Sequence, residues 1–232
     1  MSPQNAQFEA IADHYEHSLP AHVVAHYLQK RAHFLRLCVG ERPAHVLDVG
    51  AGTGQLAAQL VSSTWRVFAL DAAQAMLSLA VRRELPAVRS TGVWLPFADD
   101  TFDLVYCVAV LHHIAEPAAV RATVREMWRV VRPGGVAVYW DHNPLNPYWP
   151  IIMARVPQDT GEERLIPARE IRSALAGLPA ILTTYSSGFV GDFVPVQWLG
   201  AFQKLERIIE ALPGIRRIAC AHNVIVARKP GR

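Results

Sequence analysis

The sequence predicts a doubly wound α/β fold built on a mainly parallel sheet, and three observations carry the prediction. Short apolar runs alternate with helical patterns from about residue 44 to 141, the layout of βαβ units with right-handed crossovers. Val46, Leu47 and Val49 run straight into Gly50, Gly52 and Gly54; strand, glycine turn and helix start is the nucleotide-binding opening of such sheets. The next apolar run ends on a carboxylate, Asp71, where a doubly wound fold places the acid that accepts hydrogen bonds from both hydroxyls of a ribose.

The elements follow in order. Residues 7–39 read as helical with a break at Ser18-Leu19-Pro20, because apolar residues recur at three- and four-residue spacing on both sides of it. The first strand is expected at 44–49 and its helix at 54–62. A second strand covers 65–70, and its helix, 72–85, is ended by Pro86. A weak third strand (87–91) precedes a strong fourth (102–110). A helix at 117–131 starts on proline, whose missing N–H costs nothing at that position. Arg132-Pro133-Gly134-Gly135 stops it, and a fifth strand is expected at 136–140. Beyond Asp141 the texture changes. Pro144, Pro147, Pro150 and Pro157 crowd a segment that also holds Tyr148, Trp149, Ile151, Ile152 and Met153. A helix is expected at 167–178, a strand at 181–186, an amphipathic helix at 195–212 and a last strand at 222–227.

The glycine spacing separates two kinds of ligand. Dinucleotide sites use G-x-G-x-x-G, whereas this turn is G-x-G-x-G with Asp48 two residues ahead of it. An acid there repels a pyrophosphate and suits a cation. Asp48-Val49-Gly50-Ala51-Gly52-Thr53-Gly54 resembles the first motif of class I S-adenosylmethionine-dependent methyltransferases. Leu95-Pro96-Phe97 before the fourth strand and Arg132-Pro133-Gly134-Gly135 before the fifth resemble the same family. The resemblance is strong over 44–141 and loose on both flanks. It implies a Rossmann-like methyltransferase fold with a seven-stranded sheet whose last strand is antiparallel. It also implies S-adenosylmethionine as cofactor and methyl transfer to the oxygen, carbon or nitrogen of a small-molecule acceptor.

On that reading Asp48, Gly50, Ala51, Gly52, Gly54, Asp71, Ala72 and Val108 bind the cofactor. Family members often carry an acid before Leu-Pro-Phe that meets the adenine amino group; here Thr91 and Gly92 stand in its place, leaving the backbone of Gly92 and Val93 to supply the contacts. His112 and His113 follow the fourth strand, whose carboxyl end borders the ligand in an open sheet, and either is a candidate proton acceptor. The competing reading of Leu111-His112-His113-Ile114 is an ordinary structural turn. One domain spans 1–232, with a helical cover (1–40), a cofactor-binding core (44–141) and an acceptor-side cap (142–215). Tyr15, His14, His22 and Tyr27 are candidates for one wall of the acceptor pocket, His142 and Asn143 for another.

Two alternatives stay open: a cofactor-binding protein without catalysis, and a nicotinamide-dependent oxidoreductase, which would need its third glycine one residue later and a Tyr/Lys pair. The charge of +3 with no Lys/Arg run longer than two disfavours a nucleic-acid partner. Cys38, Cys107 and Cys220 are odd in number, far apart and without C-x-x-C spacing, which argues against disulfides and a zinc knuckle; no metal is expected. The N-terminus lacks the basic and apolar regions of a signal peptide, and no apolar run approaches a membrane span, so a cytoplasmic location is expected. Oligomeric state is not legible.

Overall fold

The computed structural model describes residues 3–159, 161 and 163–231, with side chains from residue 5. Strands β1 (Ala44–Val49), β2 (Trp65–Asp71), β3 (Ala87–Arg89), β4 (Phe102–Val108), β5 (Val131–His142), β6 (Ile181–Ser187) and β7 (His222–Arg228) form one seven-stranded sheet in the order β3-β2-β1-β4-β5-β7-β6. β1 to β5 are parallel, and β7 is antiparallel to both of its neighbours. The expected doubly wound architecture is the one observed. Helices α1 (Pro3–Ile11), α2 (Ala21–Val39), α3 (Gln55–Leu60), α4 (Gln74–Arg82), α5 (Pro117–Val130), α6 (Trp149–Met153), α7 (Ala168–Ala174), α8 (Leu199–Ala211) and α9 (Pro213–Ala219) complete the chain.

Both faces of the central strands are buried, so alternate residues feed two cores rather than one core and one surface. Val46, Leu104, Tyr106, Val138 and Trp140 pack on the side of α2 and α3; Leu47, Val105, Cys107, Ala137 and Tyr139 pack on the side of α5 and α7. Several boundaries differ from the sequence reading: β3, β4 and α7 end short of their expected ends, at Arg89, Val108 and Ala174. β5 begins at Val131, before the Pro-Gly-Gly turn, because Val131 pairs with Phe102 and the ladder then shifts register before resuming at Leu104 and Val136. The glycines make a bulge inside the strand instead of a stop. α6 forms within the proline-crowded segment and α9 where no element was expected; in each, proline occupies the first turn, where it is tolerated.

The N-terminal cover is fastened to the C-terminal region by buried charge. The Glu206 carboxylate, 2% exposed, accepts hydrogen bonds from His26 Nε2 (3.0 Å), Lys30 Nζ and the Phe189 and Val190 N–H groups. Burial alone would raise its pKa; the bonds from His26, Lys30 and Phe189 outweigh that and hold it at about 2. A depressed carboxylate contributes stability above its ordinary value of 4.5, and that stability is lost as pH falls through about 2. Glu206→Gln is expected to destabilise the fold by about 3 kcal/mol at pH 7, the order of magnitude for breaking one side of a buried pair. Thermal melting checks this: the gap between wild type and variant narrows between pH 7 and pH 3. A gap independent of pH would remove the charge from the explanation.

Candidate active site

The carboxyl ends of β1, β4 and β5 open into one mostly apolar cavity of about 630 Å³. Asp48, Gly50, Ala51 and Gly52 line it beside Val108 and Ala109; Tyr15, Tyr27, Leu28 and Arg31 line it from the cover; Trp149, Ile152, Phe189 and Phe193 line it from the cap.

The turn after β1 is held by backbone and carboxylate together. Gly50 and Ala51 donate their N–H groups to Leu70 O at 2.8 and 2.9 Å. Gly50 has φ +76° and Gly52 φ +55°, conformations that favour glycine. A Cβ on Gly50 would overlap the Val110 methyls, whereas a Cβ on Gly52 would meet nothing within 4 Å. Asp71 Oδ2 accepts the Gly52 N–H at 2.8 Å and Oδ1 accepts the Ala73 N–H at 2.9 Å. The end of the second strand therefore clamps the end of the first. The first turn of α4 is capped by Glu9 of α1, which accepts the Gln74 and Ala75 N–H groups at 2.7 Å each. Asp48 is buried and accepts the Tyr106 hydroxyl at 2.8 Å. Burial pushes its carboxyl up to about 7, only partly offset by that bond.

Four histidines gather at the other end. The register of β5 on β7 pairs His142 with His222, and the loop after β4 brings His112 and His113 beside them. Asp141 organises the group. Its Oδ1 accepts His112 Nδ1–H and the His142 N–H, both at 2.7 Å, and its Oδ2 accepts the Leu111 and His112 N–H groups at 2.7 and 3.3 Å. The His112–Asp141 bond sets the tautomer and leaves Nε2 as the free lone pair of a neutral ring. His112 stacks on His142 (ring centres 4.0 Å apart), which stacks on Trp149 (3.4 Å). Burial acts to lower the His112 pKa, but the charge and hydrogen bond of Asp141 overcome it and hold the imidazole above 6.5. Burial and the neighbouring His112 charge push His113 down to about 3; burial and Arg31 do the same to His222; His142 falls well below its ordinary value. His112 is thus the proton-binding imidazole of the four. This pairing of a carboxylate with an imidazole orients a base.

His112 Nε2, His113 Nδ1 and Asp159 Oδ1 lie within 4.8 Å of one another. Asp159 stands 4.0 Å from each nitrogen, farther than the roughly 3.4 Å between ligands on one tetrahedral ion with bonds of about 2.1 Å. The three would have to close in before a single ion touched them all.

Of the expected site residues, Asp48, Gly50, Ala51, Gly52, Val108, His112 and His113 line the cavity, while Gly54, Asp71, Ala72, Gly92 and Val93 are not among its lining residues. Gly54 is buried against Leu85 and Ala80, Gly92 packs on Thr123, and Val93 is exposed. Tyr15, Tyr27 and His142 line the cavity; His14, His22 and Asn143 do not. His22 bonds to Val194 O, and Asn143 Nδ2 donates to the Arg217 and Cys220 carbonyls. Sequence reasoning missed Asp141 as the organiser and Arg31, Asp159 and His222 as cavity residues. Each acquires its role from partners far away along the chain, and no local spacing announces that.

Residues 47–139 match the protein family described as "Methyltransferase domain". Demethylmenaquinone methyltransferase of Corynebacterium urealyticum is 40% identical over 90 residues, 39% of this chain and 38% of that protein. The enzyme of the same name from Mycobacterium tuberculosis is 38% identical over 101 residues, 44% of this chain and 41% of its own. The match thus spans about two fifths of these curated relatives. Among solved structures, a SAM-dependent methyltransferase of Thermotoga maritima superposes with a TM-score of 0.72 at 15% identity, over 97% of this chain and 99% of that one. Another from Archaeoglobus fulgidus gives 0.64 at 16%, over 88% and 93%. At such identities the likeness is one of fold. The matched segment ends within β5; the cap that supplies Trp149, Asp159, Phe189 and Phe193 to the cavity lies outside it.

Proposed function

From the premise that this chain carries a class I S-adenosylmethionine-dependent methyltransferase domain, we propose that it transfers a methyl group to a small-molecule acceptor held in the cavity. The single observation that carries this is the shared cavity: the glycine turn with Asp48 at one end and the Asp141-oriented His112 at the other.

The residues fit the donor. Gly52 faces open space, so a ligand can lie against the main chain there. Asp71 spends one oxygen on each of two N–H groups, and a carboxylate has further lone pairs for two ribose hydroxyls. Asp48 is a buried carboxyl whose ionisation a cationic ligand favours. Gly54 and Ala72 support this turn, Val108 borders the methionine portion, and the Gly92 and Val93 backbone meets the adenine. S-adenosylmethionine supplies an already activated methyl group, so the protein's work is alignment, exclusion of water and removal of the acceptor's proton. The apolar walls exclude water. His112 Nε2 takes the proton, and Asp141 stabilises the imidazolium that forms; His113, driven neutral by burial, packs beside it.

We assign the cover (1–40) and the cap (142–215) of a single domain (1–232) to acceptor choice, since both contribute walls. A cytoplasmic location and the absence of a nucleic-acid partner fit the charge of +3, and no helix among the described residues is long and apolar enough to cross a membrane.

Calorimetry with S-adenosylmethionine and S-adenosylhomocysteine tests the donor site. Gly52→Arg fills the open space over the turn, and Asp71→Ala releases the Gly52 N–H. Each is expected to weaken both ligands at least about 30-fold while the fold survives at a lower melting temperature, since positive φ at position 52 disfavours a side chain and Asp71→Ala frees two N–H groups. Unchanged affinity in both variants would refute the assignment, as would tight binding of NADH instead.

A further inference from the structure

We infer that the acceptor is a flat ring that bears a carboxylate apart from the group that is methylated, and that Arg31 of α2 is the residue that selects it; this deepens the methyltransferase reading and rests on it. Arg31 lines the cavity. Its guanidinium lies over the rings of Tyr27 (5.3 Å) and Trp140 (5.9 Å). Its Nε is buried without a hydrogen bond, and among the described residues no carboxylate forms an ion pair with the group. Arg31 is half-buried; guanidinium stays protonated even where burial disfavours it, and a charge partly withdrawn from water without a counter-charge is costly.

The acids nearby are already committed. Asp141 holds His112 and three backbone N–H groups, Glu206 holds His26 and Lys30, and Asp192 accepts the Tyr148 hydroxyl. Glu16, Asp48 and Asp159 also line the cavity, yet none of them forms an ion pair with Arg31. His142 and His222 are both held neutral, and each has a buried Nδ1 without a partner. A fixed cation, two unpartnered imidazole nitrogens and aromatic walls from Tyr27, Trp149 and Phe193 therefore face one space. That is the complement of an aromatic carboxylate: charge-assisted bonds to its oxygens and ring contacts to its body. A neutral acceptor would leave the guanidinium uncompensated, and a site built for a charged group rejects analogues that lack it.

The donor also carries a carboxylate, so the experiment separates the two sources. Binding of 4-hydroxybenzoate and of its uncharged counterpart 4-hydroxybenzamide is measured by calorimetry on wild type, Arg31→Met and Arg31→Lys, with and without S-adenosylhomocysteine. S-adenosylhomocysteine and 5′-methylthioadenosine, which lacks the amino-acid portion, are titrated in parallel. Wild type is expected to prefer the benzoate at least about 30-fold. Arg31→Lys keeps most of that preference, Arg31→Met erases it, and S-adenosylhomocysteine affinity stays within about threefold in both. No preference in wild type overturns the inference even if Arg31→Met fails to fold. Loss of S-adenosylhomocysteine affinity in Arg31→Met with methylthioadenosine unaffected also overturns it, by giving Arg31 to the donor. Failure of wild type to bind S-adenosylhomocysteine at all would strike the methyltransferase reading instead, while the benzoate preference without it still decides the role of Arg31.

Discussion

His112→Ala is expected to lower methyl transfer by about 10²–10⁴-fold, the usual contribution of a positioned general base, while leaving S-adenosylhomocysteine affinity nearly unchanged. The reason is geometric. Asp141 accepts His112 Nδ1–H at 2.7 Å and is itself pinned by three backbone N–H groups, so the imidazole is oriented without borrowing anything from the donor site. Its pKa lies above 6.5 because the charge of Asp141 outweighs burial, so the neutral, proton-accepting form grows as pH rises through that raised value. The rate should climb with pH along a limb above 6.5. Every other charged or titratable group near the ring enters that profile. His113 and His142 are held neutral by burial and by the His112 charge, Asp159 is raised to about 6 by burial, and Glu163 stands 3.8 Å from His113. Asp141→Asn should cut the rate and move the limb to lower pH. A pH profile that is the same in Asp141→Asn as in wild type would show that the proton goes elsewhere.

Asp48→Asn should make the protein more stable and less useful at once. Burial raises the Asp48 carboxyl to about 7, against an ordinary value of 3.8. Between those values the folded chain holds a proton that the unfolded chain releases, so stability falls as pH rises through the window. Above pH 7 the buried carboxylate costs on the order of 4 kcal/mol by the size of its shift. Asparagine keeps an acceptor for the Tyr106 hydroxyl without that charge. The variant should melt higher than wild type at pH 8 and at the same temperature at pH 4. Its affinity for S-adenosylmethionine should drop at least about 30-fold, because the counter-charge for a cationic donor is gone. Equal melting curves at pH 8, or full donor affinity, would show that Asp48 is a structural acid only.

How much could be read in advance differs between the two ends of the cavity. The glycine turn is legible because positive φ at Gly50 and Gly52 leaves a residue-type signature, and β1, β2 and β4 because strands buried on both faces are mostly apolar, with few polar interruptions. β5 shows the limit. Pro133, Gly134 and Gly135 read as a stop, yet pairing of Val131 with Phe102 carries the strand past them, a tertiary contact overruling local preference. The histidine end is less legible still. His112 and His113 stand out by position, but their difference in proton affinity depends on Asp141, 29 residues on, and on burial. Arg31 looks like one more solvated cation on a helix until the fold sets it over the Tyr27 and Trp140 rings beside the cavity. Gly92 and Val93 rest on analogy with a family acid this chain lacks, and they are not among the residues lining the cavity.

His142 is the last residue of β5 and His222 the first of β7, and they stand opposite each other on one rung. Everything between, residues 143–221, is a detour whose two ends are stitched together. Lengthening a closed detour costs little, growing only with the logarithm of its length, provided that β6 and the packing of α7 on the sheet stay in place. Evolution can therefore rewrite the detour, and with it the molecule that receives the methyl group, as an exchangeable cassette.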